Sequence, residues 1–429
     1  MKTLNSYLIK NGRIVTAEGV KECDLLVKEG MIAEIGKDIK AKDASIIDAK
    51  GMWVAPGLVD IHCHLREPGE EYKEDIASGA RAAAKGGFTT ICCMANTKQT
   101  NDCAVVTEYI LKKAREAGPV HVHPIGAVTK GLGGAELAEM GEMAEAGAVA
   151  FSDDGLTVKS ANMMRLGLNY AKRFSRRIIS HPEDLDLAAG GVMNEGYWSM
   201  ALGLAGKTRA AEETIIARDC MLAELEGTGI HMAHVSTRGG VEIVRAMKAR
   251  GVDVTAETAP HYLMATDEWV QGYDSVTKVN PPLRTEDDRQ ALIEALLDGT
   301  IDCIATDHAP HHVDDKNVEY AIASSGISGF ETALGVCWTA LVKSGHLTPE
   351  QLFEKMGAAA AHVLNLDTGL LAVGKAADVV IIDGEAEWTV EPEKFLSKGK
   401  NTLFGGRTLT GLVRFTMAGG EVAFDGLGQ

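Results

Sequence analysis

The chain has 429 residues, 45% of them apolar and 5% aromatic, and carries a formal net charge of −17 at pH 7. That length suits one large domain or two to three average ones. The acidic balance speaks against a nucleic-acid partner and against an anionic membrane surface, and no apolar run reaches the roughly 18 residues of a membrane span. The opening Met1-Lys-Thr-Leu-Asn-Ser-Tyr-Leu-Ile-Lys10 lacks a signal-peptide core. Eight cysteines without paired C-x-x-C spacing read as buried thiols of a reducing compartment, so the expected location is cytoplasmic.

Residues 1–56 alternate short apolar runs with Gly turns, as in Leu8-Ile-Lys-Asn-Gly12 and Asp24-Leu-Leu-Val-Lys-Glu-Gly30, which predicts a meander of short strands. Residues 57–368 then alternate helical stretches with strand-like runs at 58–62, 88–94, 120–128, 148–153, 177–181, 230–235, 252–258 and 302–306. Eight such strands predict an α/β fold, a (β/α)8 TIM-type barrel, rather than an open doubly wound sheet. No Gly-x-Gly-x-x-Gly follows a strand, which weakens a dinucleotide-binding reading. Residues 369–429 return to the strand texture of the start in Ala377-Asp-Val-Val-Ile-Ile-Asp383 and Glu421-Val-Ala-Phe-Asp425. Neither terminal piece can bury a core alone, so the two are expected to join into one small β-sandwich flanking the barrel.

The first barrel run reads Gly57-Leu-Val-Asp-Ile-His62-Cys-His64-Leu-Arg66. Side chains two apart on a strand share a face, so both imidazoles can reach one metal ion. Barrel chemistry sits at the carboxyl ends of the strands. Those ends carry His62 and His64 on the first, Asp153-Asp154 on the fourth, His181 on the fifth, His234 on the sixth and Asp307 on the eighth. Six nitrogen and oxygen donors converging there are the inventory of a binuclear zinc-type site. Only one of Asp153 and Asp154 can face the metals, because strand neighbours point opposite ways, and the strand pattern alone leaves that choice open. Two divalent ions would polarise a carbonyl and lower a bound water's pKa towards roughly 7, which supports amide hydrolysis without a side-chain nucleophile. Asp307 is placed to carry the proton.

At these residues the chain resembles the amidohydrolase superfamily and, within it, the bacterial class I dihydroorotases. The resemblance runs nearly end to end through Asp60-Ile-His-Cys-His-Leu-Arg-Glu-Pro-Gly69, Met94-Ala-Asn-Thr97, Ala150-Phe-Ser-Asp-Asp-Gly155, His181-Pro-Glu-Asp184, Asn280-Pro-Pro-Leu-Arg284 and Ala305-Thr-Asp-His-Ala-Pro-His311. It implies a Zn2+-dependent, reversible hydrolysis of (S)-dihydroorotate to N-carbamoyl-L-aspartate, in de novo pyrimidine biosynthesis. It further implies two zinc ions per chain: His62, His64 and Asp307 on the first, His181 and His234 on the second, and Asp154, rather than Asp153, bridging both. In this picture a hydroxide between the metals attacks the ring carbonyl and Asp307 shuttles the proton. His64, Arg66, Asn96, Asn280 and His311, with Ser325 and Gly326 of a covering loop, would contact the substrate. Arg66 is suited to this, since its planar fork matches a carboxylate in a way Lys cannot. The implied partners are a small anionic substrate, a second copy of the chain in a homodimer, and aspartate transcarbamoylase.

The pattern also departs from its relatives. Hydantoinases and allantoinases bridge their metals with a carboxylated fourth-strand lysine, whereas the nearest lysine here is Lys159, beyond Gly155. The family's Met-Pro-Asn-Thr is Met94-Ala-Asn-Thr97 here, its Pro-His-His-Leu is Pro260-His-Tyr-Leu263, and its Pro-Phe-Gly is Ser324-Ser-Gly326. The alternatives are a hydantoinase or allantoinase-type cyclic amidase, and a non-catalytic scaffold partner of aspartate transcarbamoylase. His121 and His123 repeat the His-x-His spacing on the third strand, with a core or supporting role expected. His231 falls on the strand face opposite His234, and Asp60, on the face of His62, is expected to orient a ligand.

Overall fold

The computed structural model describes residues 5–428. Residues 1–4, part of the segment read for a signal peptide, lie outside them. Seven of the predicted barrel runs form strands: Leu58–Cys63, Phe88–Cys93, His121–Pro124, Ile178–Ser180, Ile230–Met232, Val254–Thr258 and Cys303–Ile304. All the neighbouring pairs among them run parallel. The fourth run is extended but irregular. Only Phe151 bridges its neighbours, to Gly126 on the third side and Ile178 on the fifth, because the chain then turns to aim Asp153 at the Thr129 loop. A bridge between Cys63 and His308 closes the eighth strand on the first. Each strand is followed by an outer helix, the first being Ile76–Lys85 and the last Phe330–Cys337. Side-chain caps start several of these helices, with reciprocal capping boxes at Asp75 and Thr285.

Burial on both faces explains the nearly continuous apolar strand sequences; Leu58–Cys63 is buried at every position. Gly57 opens this strand because a Cβ there would lie 2.1 Å from Thr89 Oγ1. The charged exception, Asp60, does not reach an imidazole ring as the sequence suggested. Its carboxylate accepts from Thr306 N at 2.8 Å and Thr306 Oγ1 at 2.6 Å, so it fastens the first strand to the end of the eighth. Burial pushes this carboxyl up to about 7.

The two termini join into one sheet of eight strands. Trp53–Pro56 is the seam, antiparallel to Val379–Thr389 and parallel to Tyr7–Thr16. Ile9, Leu25, Val54, Val379, Ile381 and Phe415 pack together beneath it, so neither terminal segment has to bury a core alone. The second His-x-His helps tie this sheet to the barrel: the His121 Nε2 lies 3.1 Å from Asp378 Oδ1. The Asp378 hydrogen bond raises the His121 pKa above the ordinary 6.5, against the effect of burial. Stability from this pair is therefore complete below pH 6.5 and is lost as pH rises through the elevated value. The pair is partly exposed, so urea titrations from pH 6 to 9 should show wild type losing about 0.5 kcal/mol that His121→Gln does not lose. Parallel pH profiles for the two proteins would contradict this role.

Candidate metal centre

The six predicted donors meet at the carboxyl end of the barrel, and all are buried. Asp154 stands at their centre. Its Oδ1 lies 3.3 Å from His62 Nε2, 3.2 Å from His181 Nδ1 and 3.5 Å from His234 Nε2, while its Oδ2 lies 3.4 Å from His64 Nε2. Asp307 Oδ1 lies 3.1 Å from His64 Nε2 and 3.6 Å from His62 Nε2. His181 Nδ1 and His234 Nε2 are 2.8 Å apart. Asp153 points away, accepting from Val128 N at 2.8 Å and Thr129 N at 3.0 Å. The neighbouring aspartates thus separate as strand alternation requires, with Asp154 on the histidine side.

These residues suit a cation. Bonds of about 2.0–2.1 Å to a tetrahedral zinc-type ion put ligand atoms about 3.3 Å apart, close to the spacings found here. The buried His62 Nε2 has no hydrogen-bond partner, although it faces two carboxylates. His62, His64 and Asp307 offer one three-atom group, and His62, Asp154 and His234 a second. Burial alone would push the Asp154 carboxyl up, but His62, His181 and His234 hold it well below the usual carboxylate range. Arg66, His234 and Asp307 have φ of 61°, 33° and 46°, a left-handed backbone that costs non-glycine residues about 1–3 kcal/mol and concentrates at functional sites.

Two carboxylates that the sequence reading missed brace the imidazoles. Glu257, on the strand Val254–Thr258, places Oε1 2.5 Å from His62 Nδ1 and Oε2 3.1 Å from His231 Nε2. This gives His231 a place in the site's support despite its opposite strand face. Glu183 Oε2 lies 3.2 Å from His181 Nε2. The single carboxylate inside the mostly buried strand Val254–Thr258 was the available signal for Glu257. For Glu183 it was the glutamate two residues after His181.

The predicted substrate contacts surround this cluster unevenly. Asn96 Oδ1 lies 2.9 Å from His64 Nδ1, and its Nδ2 donates to Asp154 Oδ2 at 3.5 Å. Arg66 is buried, donates through Nε to Pro310 O at 3.1 Å, and has Nη2 3.3 Å from His311 Nε2. Among the described residues no carboxylate forms an ion pair with Arg66. The Ser325 carbonyl lies 2.8 Å from His311 Nε2. Gly326 has φ 133°, and a Cβ there would press on Ala309 at 2.7 Å, so the covering loop needs glycine at that point. Asn280 is turned to Lys207 and Glu183.

Comparison with known proteins places the chain in a family. A family profile described as Dihydro-orotase-like matches residues 51–240, and one described as Amidohydrolase family matches residues 206–423. The dihydroorotase of Acetivibrio thermocellus is 53% identical over 419 residues, covering 97% of this chain and 98% of that protein. The dihydroorotase of Geobacter metallireducens is 51% identical over 422 residues, covering 98% and 99%. Among solved structures, the L-hydantoinase (dihydropyrimidinase) of Arthrobacter aurescens is similar with a TM-score of 0.87 and 30% identity over 98% of this chain and 96% of that one.

The Glu257 contact predicts that Glu257→Gln weakens metal binding about 10- to 100-fold by loosening His62. Competition with a chromogenic zinc chelator measures this, and an unchanged affinity would remove Glu257 from the support of the site.

Proposed function

The chain belongs to the dihydroorotase-like family of amidohydrolases, and from that premise we propose that it is a dihydroorotase, interconverting (S)-dihydroorotate and N-carbamoyl-L-aspartate. The observation that carries this reading is Arg66: a buried guanidinium, unpaired with any carboxylate among the described residues, beside a cluster of metal-ligand type. A buried cation without a carboxylate in ion-pair contact favours an anionic ligand. Dihydroorotate brings a carboxylate; hydantoin and allantoin bring none.

His62, His64 and Asp307 would hold one zinc ion, His181 and His234 a second, with Asp154 shared between them. Bound there, the ions would polarise the ring amide carbonyl and lower the pKa of water held beside them. Arg66 holds the substrate carboxylate through its planar fork, and Asn96, Asn280, His311 and the Ser325-Gly326 loop complete the pocket. Water adds across the ring C–N bond. Asp307 takes a proton from the attacking water and gives it to the departing ring nitrogen. Burial would push the Asp307 carboxyl up, but His64, His62 and His234 hold it below the usual range, so it starts as a base. Closure of the ring reverses the same proton path.

Residues 57–368 form the catalytic barrel in this reading, flanked by the eight-stranded sheet that the described parts of 1–56 and 369–429 build together. We place the enzyme in the cytosol, in line with its eight free cysteines. Homodimerisation and association with aspartate transcarbamoylase are part of the same proposal, read by sedimentation alone and with that partner.

The direct test is turnover by the purified chain, with and without zinc, of dihydroorotate, hydantoin and allantoin. Zinc-dependent hydrolysis of dihydroorotate is expected; hydrolysis of hydantoin or allantoin in its place would overturn the assignment. Arg66→Met should raise KM for dihydroorotate about 100-fold, in the range for losing a charge-assisted bidentate pair. Asp307→Asn should lower kcat by about 1,000-fold or more, within the span of general acid–base contributions. Normal turnover by the Asp307 variant would remove the proton shuttle.

A further inference from the structure

Lys207 belongs to none of the motifs above, yet it reaches the edge of the site. It lies on the two-residue strand Gly206–Lys207, paired in parallel with Met193–Asn194 in the long segment between the fifth barrel strand and its helix. This ribbon is fixed from below. Arg284 donates to Asn194 Oδ1 at 3.0 Å and to the Lys207 carbonyl at 3.3 Å, and Asn194 donates to Asp267 Oδ2 at 2.8 Å. Packing is close as well, since a Cβ on Gly191 would lie 2.7 Å from Lys207 Cα.

From this anchored position the ammonium closes a three-membered ring of polar groups. Lys207 Nζ donates to Glu183 Oε1 and, at 2.5 Å, to Asn280 Oδ1. Asn280 Nδ2 donates to Glu183 Oε2 at 3.1 Å, and that same oxygen lies 3.2 Å from His181 Nε2. Chemistry fixes the direction of every bond. An ammonium only donates and a carboxylate only accepts, so the Asn280 oxygen must face Lys207 and its NH2 must face Glu183. One amide N–H and one oxygen lone pair then remain for a ligand.

We infer that Lys207 is a positioning residue with two outputs: it sets the amide orientation of Asn280 for substrate, and it holds the Glu183 carboxylate against His181. The inference deepens the dihydroorotase reading and rests on it for the substrate arm, while the His181 arm stands on metal retention alone. A lysine serving only as a buried ion pair would stabilise the fold without linking the two arms.

The test uses the full-length zinc-loaded enzyme and the variants Lys207→Met, Lys207→Arg, Asn280→Ala and the Met/Ala double variant. Lys207→Met should raise KM for dihydroorotate about tenfold with a smaller change in kcat, and should speed zinc release to a chelator about tenfold. Lys207→Arg should recover part of both. The double variant should raise KM no more than its worse single variant, because the two residues act as one unit. Unchanged KM and zinc release in Lys207→Met, or additive effects in the double variant, would overturn the inference. If the Met variant does not fold, Lys207→Gln, a neutral donor of similar length, supplies the same readouts. Wild type inactive on dihydroorotate would sink the functional reading while chelator release still tests the His181 arm.

Discussion

Everything in this molecule converges on one buried carboxylate. Asp154 sits among four imidazoles, with nitrogen atoms 3.2 to 3.5 Å from its oxygens. A lone carboxylate at that depth would be heavily penalised for its lost hydration. The surrounding groups repay this penalty if they share cations with it, and the spacing between them is that of ligand atoms around zinc-type ions. Glu257 and Glu183 then face the distal ring nitrogens of His62 and His181, which fixes which ring atom is left to point inward.

The barrel makes this arrangement affordable by dividing the work among strands. Asp60 locks the first strand to the end of the eighth, so His62 and Asp307 are set on elements that cannot drift apart. The left-handed backbone at Arg66, His234 and Asp307 turns these side chains back over the mouth, and the rigid strands beneath absorb the strain. Arg66 adds a buried cation beside the metal-type cluster, turned to the Pro310 carbonyl and the His311 ring. In the proposed function the donors account for amide hydrolysis and Arg66 for the choice of amide.

Much of this was legible in the sequence because barrel chemistry follows strand ends, and strand ends can be found from apolar runs. The His62-Cys-His64 spacing, the Asp153-Asp154 pair, His181, His234 and Asp307 were all readable that way, as was the union of the two termini in one sheet; the choice of Asp154 over Asp153 came from the family resemblance. What the sequence obscured was direction. Asp60 shares a face with His62, yet its oxygens turn sideways to Thr306, and strand parity carries no information about that rotation. Glu257 was hidden as the single charged residue of a mostly buried strand. Lys207 was invisible because it arrives on a ribbon inserted between a barrel strand and its helix, where no periodicity ties it to the site. Contacts made across distant segments leave no local signal.

The account stands on Asp154 being shared by two metal ions. Calorimetric titration of the chelator-stripped protein with zinc addresses this most directly, read alongside the same titration of Asp154→Asn. Two ions per wild-type chain are predicted, with the second lost or greatly weakened in the variant, because an amide cannot supply a bridging negative charge. A single zinc per chain supporting full activity, or wild-type binding of both ions by Asp154→Asn, would contradict it.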